Sequence, residues 1–186
     1  MRKHNGMRPQ DIAILLKIAA IQNPHWQLQP LSNELGISIA EISQSLSRSR
    51  EAGLIDFHKK RPNRQSLLEF LEHGIRYVFP AAPGRLTRGI PTAHSHPWMK
   101  KVFQSDNNYV WPDPEGTMMG QSIEPFYEKQ AKAAKADPQF HKLLALVDVT
   151  RVGRVREVKA AVAELKNDIT GEPSQEHTKS LIRWQS

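Results

Sequence analysis

Four groups of residues have types and spacings that could do chemistry. Ser38, Ile39, Ala40, Ser43, Gln44, Ser47 and Arg48 fall on one face of a helix if residues 39 to 52 are helical. The small members permit close approach to another surface. A glutamine can bond an adenine edge, and an arginine a guanine edge or a phosphate. Lys59, Lys60, Arg61 and Arg64 form a second, purely cationic group around Pro62. Such a group suits a phosphate backbone, and it also suits a solvated turn. His94 and His96 make a third group, with Asp113 downstream. Alternate residues in a proline-rich stretch have no fixed geometry and no third ligand is well placed, so no metal is expected. Val155, Val158, Val162, Leu165 and Ile169 repeat at intervals of three and four. That is the seam of a helix packed on another helix, either within the chain or across a homodimer.

Other chemistries have no residues to carry them. The chain of 186 residues contains no cysteine, which excludes disulfides, thiol nucleophiles and cysteine-ligated metal. No phosphate-cradling glycine loop and no nucleophile elbow is present, and Glu72-His73 lacks the second histidine of a zinc protease. The expectation is a protein that is not an enzyme and that carries no cofactor.

The net charge of +7 points to an anionic partner. Its distribution says more. Residues 1–104 hold 15 Lys and Arg against 7 Asp and Glu, whereas residues 105–186 hold 11 against 12. The basic surplus belongs to the part of the chain that contains Gln44, Arg48 and Lys59 to Arg64. Arg85, Arg88, Lys100 and Lys101 are candidates to extend the same surface. Arg151, Arg154 and Arg156 stand beside Asp148 and Glu157 and read as ion pairs.

The elements that must position these groups are mostly helical. A first helix opens at Arg8-Pro9-Gln10-Asp11, and its apolar run from Ile12 to Ile21 reads as a buried core helix, not a secretion signal. Trp26 to Leu28 alternates like a short strand. Leu31 to Leu35 forms a second helix closed by Gly36. Ser38 and Glu41 form a capping box that starts a third, Ile39 to about Ala52, with Ile42 and Leu46 inward. Leu54 to Phe57 reads as a strand, and Leu67 to Leu71 as another helix. Arg76 to Phe79 reads as a strand that could replace a missing second arm after Arg64. From Pro80 to Pro125, which holds 7 of the 13 prolines, the chain is expected to be ordered but irregular, with a short turn around Trp98 to Phe103. Trp111 is expected to be a buried plug. Helix resumes from about Gln139 to Asp168, with a break at Gly153, and residues 171–186 form a flexible tail.

A helix ending in Leu35-Gly36, a second capped helix carrying Ile42 and Leu46, and an exit through Gly53-Leu54-Ile55 resemble the winged helix-turn-helix of bacterial transcription regulators. The MarR-like families are nearest in texture, and the resemblance covers residues 8 to about 64. It implies an α+β, mostly helical protein. A winged helix-turn-helix DNA-binding domain would occupy residues 1–64, with residues up to 79 as a candidate extension. A helix with a Pro- and aromatic-rich ordered segment (65–136) and a C-terminal helical region (137–170) would follow. The implied function is a cytoplasmic, sequence-specific regulator of double-stranded DNA, a dimeric repressor with helix 38–52 in the major groove. Ser43, Gln44, Ser47 and Arg48 would then read bases, and Lys59, Lys60 and Arg61 would touch phosphates. The alternative is an antitoxin-like adaptor that uses the winged helix and the C-terminal half to hold a protein partner. A membrane partner is not expected.

Overall fold

The apolar run after Pro9 forms helix α1, Pro9–Ile21. Proline is tolerated in the first turn, and the Arg8 amide donates to the Asp11 carboxylate at 2.8 Å. Ile12 to Leu16 are excluded from solvent, and α1 packs against elements from both ends of the chain. Lys17 interrupts the run without exposing it. Its ammonium lies 2.6 Å from both Glu34 and Asp137, tying two other elements to α1. A computed structural model describes residues 6–105 and 107–171; of the expected tail, residues 172–186 lie outside the described residues.

Helix α2 spans Leu28–Leu35 and α3 spans Ile39–Glu51. The strand expected at Trp26 to Leu28 is absent. Leu28 instead joins Leu31 and Leu35 on one helical face, and Pro30 is accommodated in the first turn. Gly36 turns the chain with φ +66, its amide donating to the Ser32 carbonyl. Ser38 caps α3 by accepting the Glu41 amide at 3.2 Å. The reciprocal half of the capping box is replaced, because the Glu41 carboxylate turns to Gln10 and Arg48.

After Gly53, residues 54–63 form a small hairpin. It has one bridge, Ile55 opposite Pro62, flanked by Asp56 amide to Arg61 carbonyl and Asn63 amide to Leu54 carbonyl, each 2.9 Å. The strand expected at Leu54 to Phe57 shrinks to this bridge, and the returning arm is Arg61 to Asn63. Helix α4 (Arg64–Glu69) continues through a π-helical turn (Phe70–Gly74) into α5 (Ile75–Val78). Arg76 to Phe79 is therefore not a strand. Ile75 extends the buried row of Leu67, Leu68 and Leu71 at helical spacing, which holds that segment helical.

The proline-rich segment is more regular than its composition suggests. It contains β1 (Leu86–Pro91), a 3-10 turn (Ala93–Ser95), α6 (Pro97–Val102), β2 (Tyr109–Pro112) and β3 (Met118–Ser122). The first half of β1 pairs antiparallel with β3, Leu86 opposite Gln121. Its second half pairs antiparallel with β2, Ile90 opposite Trp111. β2 and β3 meet in parallel at Tyr109 and Gln121, closing a three-stranded barrel. So small a ring needs bare backbone: a Cβ on Gly116 would stand 2.3 Å from the Gly89 carbonyl.

Three helices complete the described chain: α7 (Gln130–Ala136), α8 (Pro138–Val152) and α9 (Val155–Thr170). The helical region thus begins earlier than Gln139. The break at Gly153 lies between α8 and α9, as its sequence suggests. Helix α8 is buried on most sides, from Leu143 to Arg151. Its one buried acid, Asp148, accepts from Thr92 Oγ1 and Trp111 Nε1 at 2.7 Å and from Arg151 at 2.8 Å. Arg151 also donates to the Phe79 and Glu124 carbonyls. Every partner of this carboxyl group comes from the barrel side or from its own helix, so one hydrogen-bonded acid fastens the barrel to α8. The architecture is mostly helical with a small sheet.

Candidate nucleic-acid interface

The outer face of α3 starts where its caps place it. Ser38, Ala40 and Gln44 are exposed, Ile39 is 39% exposed, and Ser43 and Ser47 are half-buried. The Ser47 hydroxyl donates to the Ser43 carbonyl at 3.0 Å and accepts from the Lys59 ammonium at 2.8 Å. The hairpin is therefore anchored beside α3 through Lys59, and the two share a surface. Arg50, from the last turn of α3, places its guanidinium 5.7 Å from the centre of the Phe57 ring at the hairpin tip.

Arg48 is not on that surface. It is 4% exposed, with Nε 2.8 Å from Asp11 Oδ2 and Nη2 2.6 Å from Asp11 Oδ1. Glu41 stands 3.0 Å from Nη2 as well. The Asp11 carboxylate, followed by Glu41, pushes the guanidinium still further into its charged form, against the opposing effect of burial. The residue expected to read a base instead bolts α3 to the first turn of α1. The physical reason is register. Positions 45, 48 and 49 are buried beside Ile42 and Leu46 on the inner face of α3, and α1 supplies a carboxylate there.

The cationic group divides between two sides of the hairpin. Lys59 faces α3. Lys60 turns away, its ammonium 4.3 Å from the centre of the Trp26 ring and bonded to the Trp26 carbonyl, while the indole donates to the Lys60 carbonyl at 2.9 Å. Arg61 and Arg64 are exposed and, with Lys60, Gln22 and Asn23, line an open cleft of about 500 Å³ against the end of α1. Arg64 donates to the Thr170 carbonyl at the end of α9. Of the four lysines and arginines expected to act together, only Lys59 reaches the α3 face.

The tip itself carries an exposed aromatic residue where the sequence suggests the end of a strand. Phe57 is 77% exposed, and the His58 ring meets it edge-on at 5.5 Å. The Asp56 carboxylate accepts the amides of Lys60 and Arg61 at 2.6 and 3.2 Å, and Lys59 adopts φ +58. The available signal was an aromatic residue between a capped helix and a run of basic residues.

The other candidate groups sit elsewhere. His94 lies 2.8 Å from Glu157, in the first turn of α9, and His96 packs edge-on against His141 at 4.7 Å. Asp113 pairs instead with Lys135 at 2.9 Å. Among the described residues no three His, Asp or Glu side chains are grouped as a metal ion would require. Arg154 uses its backbone amide, not its side chain, to reach Glu157 at 2.6 Å. In the α9 seam Leu165 is 0% and Ile169 3% exposed, both covered by this chain, and Val158 and Val162 are half-buried. Only Val155, at 73%, is open. Of the two readings of this seam, packing within the chain and a homodimer interface, Leu165 and Ile169 serve the first, where α8 lies against α9.

Models of known protein families give no match to the chain, and neither do curated proteins or solved structures. No helix among the described residues is long and apolar enough to cross a membrane.

Proposed function

We infer that the protein binds double-stranded DNA with sequence preference and regulates transcription by occupying it, as the resemblance to winged helix-turn-helix regulators implies. One observation carries this reading. The exposed side of α3 offers the small and polar Ser38, Ala40, Ser43, Gln44 and Ser47 with Ile39 among them, the exposed Glu51 stands one turn beyond Ser47, and a hairpin bearing Lys59 lies beside it. A helix of this width fits a major groove, and the flanking cation meets the phosphates. Gln44 is the residue on that face best able to bond a base edge. Arg61 lies on the cleft side of the hairpin and adds long-range attraction more than a direct contact. Action as a dimeric repressor belongs to this reading, with the second copy held by a surface other than the one formed by Leu165 and Ile169.

The test is a selection from random duplex DNA at two salt concentrations. The expected result is one enriched sequence and an affinity that falls steeply with salt. Recovery of no preferred duplex at either salt ends this reading.

A second reading, an antitoxin-like adaptor, draws on α5. There Tyr77 is 78% and Val78 52% exposed, side by side. It calls for a stable complex with a protein partner that Tyr77→Ala and Val78→Ser weaken together.

A further inference from the structure

The side of α3 assigned to DNA is poor in groups that read bases. Arg48 is withdrawn into its pair with Asp11. Both hydrogen-bonding roles of the Ser47 hydroxyl are taken, by Ser43 and Lys59. Gln44 is left as the one long amide, beside the short hydroxyls of Ser38 and Ser43 and the apolar Ile39 and Ala40. Direct contact to base edges is therefore thin. A protein with few such contacts can still discriminate sequences through the energy needed to deform them.

The neighbouring hairpin holds a side chain suited to deformation. The Phe57 ring buries little of its surface and contributes little to the core. Lone exposed apolar residues are common and by themselves mean little. Phe57 differs in how it is presented. The tip is fixed by Lys59 amide to Asp56 carbonyl at 3.0 Å, by the Asp56 carboxylate on the amides of Lys60 and Arg61, and by the Lys59 ammonium on Ser47 of α3. Lys59 holds a left-handed backbone that non-glycine residues rarely adopt, and the surrounding bonds maintain it. Arg50 and His58 meet the ring, and Lys59 follows two residues after it in sequence. The nearest acid of the hairpin, Asp56, is occupied by the two backbone amides. A rigid apolar tip flanked by the cations of Arg50 and Lys59 matches a stacked, anionic polymer, because the cations hold the phosphates while the ring enters between bases.

We propose that Phe57 is a wedge that inserts between base pairs beside the α3 footprint and kinks the duplex, so that part of the sequence preference is a preference for easily unstacked steps. This rests on the DNA-binding reading. Pyrimidine–purine steps such as TpA and CpA unstack most readily and are the sequences expected under the tip.

The experiment uses the full chain and the duplex recovered by the selection, labelled at its two ends for energy transfer. The companion probe is the same duplex with its flanking pyrimidine–purine steps changed to ApA. Wild-type protein is expected to shorten the end-to-end distance at saturation and to prefer the original duplex by on the order of tenfold. Phe57→Ala, which removes an exposed ring and leaves the core intact, should abolish the shortening and most of the step preference. Phe57→Leu should restore much of both, because an apolar wedge is retained. Circular dichroism checks that both variants are folded. A duplex that binds but stays straight, or a Phe57→Ala protein that bends DNA as the wild type does, overturns the wedge and leaves the DNA reading standing. Failure of the selection to yield any duplex overturns both.

Discussion

Arg48 of α3 and Asp11 of α1 form a two-bonded ion pair closed off from solvent, with separations of 2.8 and 2.6 Å and exposures of 4% and 0%. Breaking such a pair from one side strands the other charge. Arg48→Ala should lower the unfolding free energy by roughly 3–5 kcal/mol, read from urea denaturation. Asp11→Ala/Arg48→Ala should cost clearly less than the sum of the two single changes, since neither charge is then left alone. If Arg48→Ala kept full stability and altered only DNA preference, the pair would not hold α3 in place.

Gln44 and Lys59 separate specificity from affinity. Gln44→Ala should reduce discrimination against a changed base pair by about 1–3 kcal/mol and leave the salt dependence alone. Lys59→Ala should weaken binding to all duplexes alike and lower the slope of log affinity against log salt by about one. Fluorescence anisotropy at several salt concentrations distinguishes the two. Identical salt slopes for wild type and Lys59→Ala would remove Lys59 from the phosphate contacts.

Leu165 tests whether α9 faces its own chain. The side chain is fully buried, so Leu165→Ala should destabilise the fold by about 2–5 kcal/mol. The loss should be the same at low and high protein concentration, because the contact is within one molecule. A denaturation midpoint whose response to Leu165→Ala depends on protein concentration would return this position to a dimer interface.

Acid should destabilise the region around His96. Burial first, then the neighbouring His141 and the Lys142 charge, hold the His96 imidazole down to about 3. Burial also lowers His141, partly offset by its bond to the Pro91 carbonyl at 2.7 Å. Both rings are held toward the neutral form in the folded protein, and the unfolded chain takes up protons near pH 6.5. Their contribution is complete above that pH and declines as pH falls from about 6.5 toward 3, by on the order of 4 kcal/mol for His96. Glu157 adds a further loss only at lower pH, below about 4.5. Burial raises it, but the Arg154 amide and His94 outweigh burial and hold it below the usual glutamate range. Urea midpoints at pH 7.5 and pH 5 measure the effect. His96→Gln should flatten the pH response, and an unchanged response would contradict the burial of a neutral ring.

Local elements were legible in the sequence where local rules suffice. The start of α1 follows from Pro9 and Asp11, the turn at Gly36 from its left-handed backbone, the cap of α3 from Ser38, and the break between α8 and α9 from Gly153. The buried Trp111 was legible too, as an aromatic residue in a proline-held path. The segments that failed are those whose form depends on distant partners. Arg76 to Phe79 reads as a strand by β propensity, yet Ile75 and the helix before it are buried on a helical period. The proline-rich stretch reads as irregular, yet Gly89 and Gly116 let three strands close upon one another.

The sequence by itself determined a cysteine-free, mostly helical chain, the position of its basic surplus and the two capped helices around Gly36. Composition, periodicity and capping are local and survive in a list of residues. Only the tertiary structure decided what each charged side chain does. A guanidinium pairs with whichever carboxylate the packing of helices brings within 3 Å, and Asp11 is 37 residues from Arg48. That one pairing withdrew the expected base reader from the surface. The fold of the hairpin divided Lys59 from Lys60 and raised Phe57, which by sequence reads as the end of a strand, to its exposed tip.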